Sequence, residues 1–225
     1  LFEIKNAQRV LLEGNVLEGN WSDGQSGWSI LIKSTNQYGG CNWCTADDIT
    51  VRWNLLDDAE NGMQIVWGNS TGAPHGATER IVVENNVFAR LGSNGNHSGW
   101  GSAMRLTQMP GNVQIRSNTW QNTGGNHFLM VDGGGGPGSN VTVSGNVGWQ
   151  GLYGIWQGGG ASLASGAVAG NTLIGGSGAH CGANQCPGSA QMQTVSIAGR
   201  SYSLPVVSGR GANLTELAQR LQSVR

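Results

Sequence analysis

Lysine is almost missing from this chain: Lys5 and Lys33 are the only two in 225 residues. Charge of either sign is scarce too, at 11% of residues with a formal net charge of −1, less than half the usual share. Without a basic face the chain has no electrostatic hold on a phosphate backbone, so nucleic acid is not expected as a partner. No apolar run is long enough to cross a bilayer, and no membrane span is expected. An initiator Met and a signal peptide are absent as well, and Leu1 opens directly on a strand-like phrase. An open end of stacked strands would expose unpaired edges, so upstream coils or a cap, and further domains of the same protein, are expected.

What the chain does have is repetition. Six phrases place an asparagine three residues after the last aliphatic residue of a short strand: Val10–Asn15, Ile49–Asn54, Ile81–Asn86, Val113–Asn118, Val141–Asn146 and, more weakly, Gly166–Asn171. The asparagines are 39, 32, 32, 28 and 25 residues apart. A unit of that length built of strands marks a β-solenoid. With a period of two, the aliphatic residues on either side of Leu11, Thr50, Val82, Gln114 and Thr142 point inward and those five point outward. A second strand follows each asparagine, with Leu17, Leu56, Phe88, Trp120 and Leu173 as its core column. A third closes each turn, as in Phe2–Lys5, Ile30–Lys33, Met104–Thr107 and Leu129–Asp132; Gln64–Trp67 and Gly154–Trp156 fit less cleanly.

These patterns predict an all-β fold, a parallel β-helix of about six coils with three strands per coil over residues 1–176. Its sense is expected to be right-handed, as parallel crossovers almost always are. The asparagines are read as a buried structural ladder at the corner, tolerating left-handed backbone and hydrogen-bonding to one another at a spacing of about 4.8 Å. Two positions before each asparagine stand Glu13, Arg52, Glu84 and Arg116, whose alternating signs predict one outward charge ladder. Residues 177–225 form a second segment rich in Gly, Ser and Ala. A hairpin is expected around Val195–Ile197 and Ser201–Leu204. Asn213 and Glu216 form a capping box ahead of a short amphipathic helix carrying Leu214, Leu217, Ala218 and Leu221, placed to cover the last coil or lead to another domain.

The repeat, with its Glu13-Gly14-Asn15-Val16 phrase, resembles the right-handed parallel β-helix proteins of the pectate-lyase-like superfamily, in particular secreted bacterial members. The similarity spans residues 1 to about 175. It implies an extracellular or cell-surface protein acting on polysaccharide, with Ca²⁺ as the cofactor such a family suggests. The superfamily's catalytic signatures do not transfer. The Arg-x-Pro-x-x-Arg of pectate lyases and the Asp-Pro-His-Glu of epimerases are absent, and Asp47-Asp48 is not followed by the Gly-His-Gly or Arg-Ile-Lys of polygalacturonases.

Four cysteines fall in two close pairs, Cys41/Cys44 and Cys181/Cys186. A shared zinc site, to which His180 could add, would need the pairs together. They leave the stack four or five coils apart, roughly 20 Å. Two local disulfides, and hence an oxidising compartment, are the better reading.

Candidate chemistry sits on the outward positions of the third strands. The expected columns are Glu3, Leu31, Ile65, Arg105, Met130 and Gly154, and beside them Lys5, Lys33, Trp67, Thr107, Asp132 and Trp156. Two stacked lysines repel unless an anion lies over them, and indole faces suit sugar rings. Lys5, Lys33, Trp67 and Trp156 are therefore the expected substrate-binding residues of a groove for an acidic polysaccharide. Lyase chemistry needs a base for the C5 proton of a uronate and a cation for its carboxylate. His127 is the candidate base, with Arg105 or Lys33 as the cation and Asp132 nearby. Arg105 could equally just pair with Asp132. His97 and the loop tryptophans Trp21, Trp43 and Trp100 complete the candidates, while Trp120 belongs to the core. The functional expectation is a polysaccharide-engaging protein, as a lyase, a hydrolase or a binder; the rival is a non-catalytic structural or adhesive solenoid.

Overall fold

The structure, a computed structural model, describes residues 2–22, 27–36, 39–68, 75–92, 100–121 and 125–224, the side chains of 179 and 180 excepted. Its strands assort by their place in the repeat. Sheet A comprises β1 (Phe2–Ile4), β4 (Trp28–Lys33), β7 (Asn61–Val66), β10 (Met104–Thr107), β13 (His127–Asp132) and β16 (Gly154–Gly158). Sheet B comprises β2 (Ala7–Glu13), β5 (Ala46–Arg52), β8 (Thr78–Glu84), β11 (Gly111–Arg116) and β14 (Thr142–Ser144). Sheet C comprises β3 (Val16–Glu18), β6 (Leu55–Asp57), β9 (Val87–Ala89), β12 (Thr119–Trp120), β15 (Val147–Trp149) and β17 (Thr172–Ile174). Each strand pairs parallel with its equivalent one repeat on. Three parallel sheets stacked in this order are consistent with a parallel β-helix.

The interior is filled by the inward aliphatic residues of all three sheets, among them Ile30, Ile32, Ile49, Val51, Ile81, Val83, Leu56, Phe88 and Trp120. Gly148 takes the place of a larger residue after Trp120 in the sheet C column, because a Cβ there would press on the Trp120 side chain.

The asparagine ladder is continuous. Asn86 Oδ1 accepts from both the backbone N–H and the Nδ2 of Asn54, each at 3.0 Å, and the same double acceptance recurs at Asn54, Asn118, Asn146 and Asn171. It then takes a step that the repeat did not announce. Asn171 donates in the same way to Asn184, inside the Cys181–Cys186 disulfide loop. The left-handed residue of the corner is not the asparagine itself but the residue before it: Gly14, Trp53, Asn85, Ser117, Gly145 and Gly170 all have positive φ, between 53° and 71°. A ladder asparagine therefore keeps ordinary backbone and is selected for its amide.

The charge ladder forms as expected. Glu13, Arg52, Glu84 and Arg116 pair in register on sheet B, with ion pairs of 2.5 Å from Arg52 to Glu13 and 2.9 Å from Arg116 to Glu84.

Beyond the stack, β18 (Gln191–Ile197) and β19 (Arg200–Val206) form an antiparallel hairpin, and α1 (Leu214–Arg220) follows with Asn213 accepting from the Glu216 N–H. These elements lie along the outer face of sheet C. Ile197, Tyr202, Leu204, Leu214, Leu217 and Leu221 pack on Trp53, Leu55, Val87 and Ala89. The helix reaches back to the first repeats, where Arg220 pairs with Glu13 at 2.7 Å and lies over the Trp53 ring. It therefore covers a flank of the stack, which differs from the two places the sequence suggests for it, over the last coil or leading to a further domain. The reason is that sheet C presents apolar residues, Val16, Leu55, Val87 and Ala89, on its outer face as well as in the core, as strands covered on both sides do.

The hairpin is pinned by a buried carboxylate. Asp57 accepts from Tyr202 Oη at 2.6 Å, from Arg90 Nε at 2.7 Å and from Arg200 at 3.3 Å. Burial, with the Asp57 hydrogen bond, pushes the Tyr202 hydroxyl well above the ordinary phenol range.

Two stability outcomes follow. Asn86→Ala removes the acceptor for two Asn54 donors in a fully buried position and is expected to cost about 3 kcal/mol, read as a lower midpoint in urea unfolding. Asp57→Ala leaves Arg90 and Tyr202 without their shared acceptor and is expected to cost about 3 kcal/mol. It should also raise amide exchange across β18, β19 and α1 while β5, β8 and β11 stay protected; uniform exchange over all of them would contradict a separately docked flank.

Candidate functional site

Sheet A is the sheet whose outer face carries the candidate chemistry, and its register differs from the sequence expectation at two strands. Leu31 and Arg105 both pair with Gln64, and Lys33 and Thr107 both pair with Val66. The outward positions of β7 are therefore Gln64 and Val66, and Ile65 is in the core. The continuous apolar run Ile65-Val66-Trp67 left the inward set ambiguous there. At β16 a register shift between His127 and Leu129 brings Trp156 beside Met130 and Gly158 beside Asp132. The observed columns are Glu3, Leu31, Gln64, Arg105, Met130 and Trp156, and then Lys33, Val66, Thr107, Asp132 and Gly158.

This register separates the expected residues into two groups. Lys33 and Lys5 lie in the first coil or two, where Glu3 is their counter-ion, at 3.1 Å and 3.6 Å. Their repulsion is relieved from within the protein. Trp67 follows β7 and packs edge-on to His75, 5.6 Å between centroids. Trp156 is four strands beyond Lys33 in sheet A, about 19 Å away at the usual strand spacing.

Arg105, His127, Asp132 and Trp156 do come together. Arg105 makes a two-pronged pair with Asp132, Nε to Oδ1 at 2.9 Å and Nη2 to Oδ2 at 2.5 Å. Asp132 also accepts from Thr107 at 3.1 Å, whose hydroxyl in turn accepts from Gln64 at 2.9 Å. The guanidinium lies 6.0 Å over the Trp100 ring, within cation–π range. His127 is surrounded by aromatic rings: Tyr153 stacks on it at 5.1 Å, with Trp100 at 6.3 Å and Trp156 at 6.4 Å. Ser102 Oγ is 2.9 Å from His127 Nδ1, and both side chains are buried. That hydrogen bond orients the imidazole, and which partner donates decides which ring nitrogen is left as acceptor. Burial, and secondarily the charge of Arg105, lowers the His127 pKa below the ordinary imidazole value, so the ring is neutral at pH 7.

Together Trp100, Asn126, His127, Met130, Tyr153 and Trp156 line a cavity of about 410 Å³. Three of its rings remain open to solvent, Trp100 at 47%, Tyr153 at 50% and Trp156 at 37%. Glycines make this grouping possible. Gly101 and Gly125 meet backbone to backbone, as do Gly125 and Gly151, where a Cβ would fall within 3 Å of the neighbouring chain. Asn126 N donates to Trp100 O at 2.7 Å and Tyr153 N to Asn126 O at 2.8 Å, so the segments leading into β10, β13 and β16 lie side by side. A Cβ on Gly158 would collide with the Trp156 indole, so the ring lies along its own strand.

Tyr153 and Ser102 were not among the sequence candidates. Of the loop tryptophans, Trp100 joins the site and Trp43 stands exposed in the Cys41–Cys44 loop. His97 lies outside the described residues. Both disulfides are present. Asp47 and Asp48 are held by Arg80, at 2.6 Å and 2.7 Å. Among the described residues no three His, Cys, Asp or Glu side chains are placed to hold a metal ion.

The chain matches no family model, and neither a curated protein nor a solved structure shows significant similarity to it.

The neutral His127 has a consequence for stability. In the unfolded chain imidazole takes up a proton near pH 6.5, whereas the folded protein resists protonation until lower pH. Below the unfolded value the unfolded state binds more protons, so stability falls as pH drops through that range. The unfolding temperature is expected to decline from pH 7 to pH 5, and His127→Gln should show a shallower decline. Identical slopes would show that His127 protonates as freely in the fold as outside it.

Proposed function

We propose that this is an extracellular parallel β-helix protein, right-handed in sense, that engages polysaccharide through the aromatic cleft on sheet A. The observation that carries the reading is the set of exposed rings, Trp100, Tyr153 and Trp156, converging on one cavity beside an ordered Arg105–Asp132 pair. Burying such rings is normally favourable, and three left open in one place mark a surface built to be covered. Aromatic faces pack on the C–H faces of pyranose rings, while guanidinium and carboxylate groups held in fixed geometry offer donors and acceptors to hydroxyls. Two disulfides and the lack of a membrane-spanning helix among the described residues are compatible with secretion.

Catalysis would be an extension of the same site. His127 is the group able to exchange a proton there, kept neutral by burial and secondarily by the charge of Arg105, and oriented by Ser102. As a base it would work through the ring nitrogen not engaged by Ser102. Arg105 is less available than a lyase cation should be, since Asp132 already satisfies it. Binding is therefore the primary reading and bond cleavage the secondary one. The structural or adhesive alternative draws on the uninterrupted ladders, which need no ligand.

Retention on immobilised polysaccharides separates these readings. Trp156→Ala and Tyr153→Ala are each expected to weaken retention roughly ten-fold, an amount typical of one lost aromatic contact, whereas Trp67→Ala should leave it unchanged. Release of reducing or unsaturated ends that His127→Ala abolishes, with binding retained, would establish the catalytic extension. Equal retention of all variants, or none by the unmodified protein, would leave the solenoid itself as the function.

A further inference from the structure

The cleft has a neighbour. Gln150, Leu152, Tyr153, Ile155, Trp156, Gln157, Ser177 and Gly178 line a second cavity of about 620 Å³. It shares Tyr153 and Trp156 with the first, so the two form one trough that runs across the strands from β13 past β16, the last strand of sheet A. Each is in the size range of a small-ligand site.

Among the described residues, neither cavity is lined by an aspartate, glutamate, lysine or arginine. The nearest cation of sheet A, Arg105, is matched by Asp132, and Lys5 and Lys33, at the far end of the sheet, share Glu3. What lines the second cavity instead is amide and hydroxyl. Gln157 Oε1 accepts from the Leu163 N–H at 2.8 Å and Gln150 Oε1 from the Ser177 N–H at 3.0 Å. Each bond fixes an amide plane and assigns its oxygen inward to the main chain, so the Nε2 hydrogens are the donors each group offers. Fixed amide donors beside aromatic faces recognise hydroxyl oxygens without asking for charge. A uronate carboxylate in the same trough would be stripped of water and meet no unmatched cation, which is costly.

Resting on the proposal that the cleft binds glycan, we infer that its ligand is an uncharged polysaccharide, held as an extended chain over two subsites that meet at Tyr153 and Trp156. The chain lies along the stacking axis, with one sugar against Trp100, His127 and Trp156 and the next units over Gln150 and Gln157. Leu152, 67% exposed at the edge of the second cavity, adds apolar cover.

Calorimetric titration of the full chain with neutral oligosaccharides, from disaccharide to hexasaccharide, and with oligogalacturonate and oligomannuronate tests this. Affinity for at least one neutral series should rise roughly ten-fold or more with length until both subsites are filled and stay constant as salt is raised. Gln157→Ala and Gln150→Ala, checked for unchanged circular dichroism, should lower affinity for the long oligomers and spare the shortest that binds. Salt-sensitive binding of the uronates in preference to every neutral series would overturn the inference while leaving the glycan reading in place. Affinity independent of length would overturn the two-subsite geometry, and absence of binding to either class would overturn both proposals.

Discussion

Everything in this fold depends on one amide oxygen per coil accepting two hydrogen bonds from the coil before it. The Oδ1 of Asn54, Asn86, Asn118, Asn146 and Asn171 each holds the main-chain N–H and the side-chain Nδ2 of the preceding ladder residue. Hydrophobic burial is larger in sum but has no direction, and a stack of aliphatic strands would tolerate sliding. The ladder does not, because a slip of one residue would bury charges such as Arg52 and Glu84 and orphan the donors. Register at the corner is thereby passed to the core columns, to the charge ladder and to sheet A. The ladder is also closed at its far end by a residue held in place covalently, Asn184 between Cys181 and Cys186.

A stack of this kind has three outer faces, and each is treated differently. Sheet B presents alternating charges, which discourage the addition of further strands in wrong register and contribute little to stability. Sheet C carries Leu55, Val87 and Ala89 on its outer face and takes the hairpin and helix as a second layer, fastened through Asp57. Among the described residues, sheet A carries no such layer over β10, β13 and β16, and there the exposed rings gather. The few cations on this face are held by carboxylates, Arg105 by Asp132 and the two lysines together by Glu3, so aromatic and amide groups make up the surface around the cleft.

The repeats, the parallel stack, the charge ladder, both disulfides and the hairpin were readable because each rests on short-range pattern: period two, fixed offset from an asparagine, or close cysteine spacing. The register of β7 and β16 was not. A continuous apolar run at Ile65-Val66-Trp67 gives no alternation to read, and a bulge beside His127 changes the count. Asn184 does not stand out in the repeat because it follows Asn171 by only 13 residues with no strand-like phrase before it. Of the site, Arg105, His127, Asp132 and Trp156 were visible as outward or strand-edge polar and aromatic residues. Their grouping with Ser102 and Tyr153 was not, since it depends on backbone contacts between Gly101, Gly125 and Gly151. The lysines drew attention by their rarity, yet Glu3, two positions before Lys5, already supplied the anion they needed.

The division of labour within the cleft follows from where its residues are mounted. Arg105, Thr107 and Asp132 stand on β10 and β13, in the middle of sheet A, with neighbours in register on both sides. Their mutual geometry is therefore as rigid as the sheet. Trp100 and Tyr153 sit on the segments that lead into these strands, and Trp156 on the last strand of the sheet, which has one strand neighbour. Such positions adjust more readily than sheet interiors. On the reading proposed above, a fixed polar pair with more yielding aromatic walls lets the repeating rings of a polymer settle in one register against the sheet.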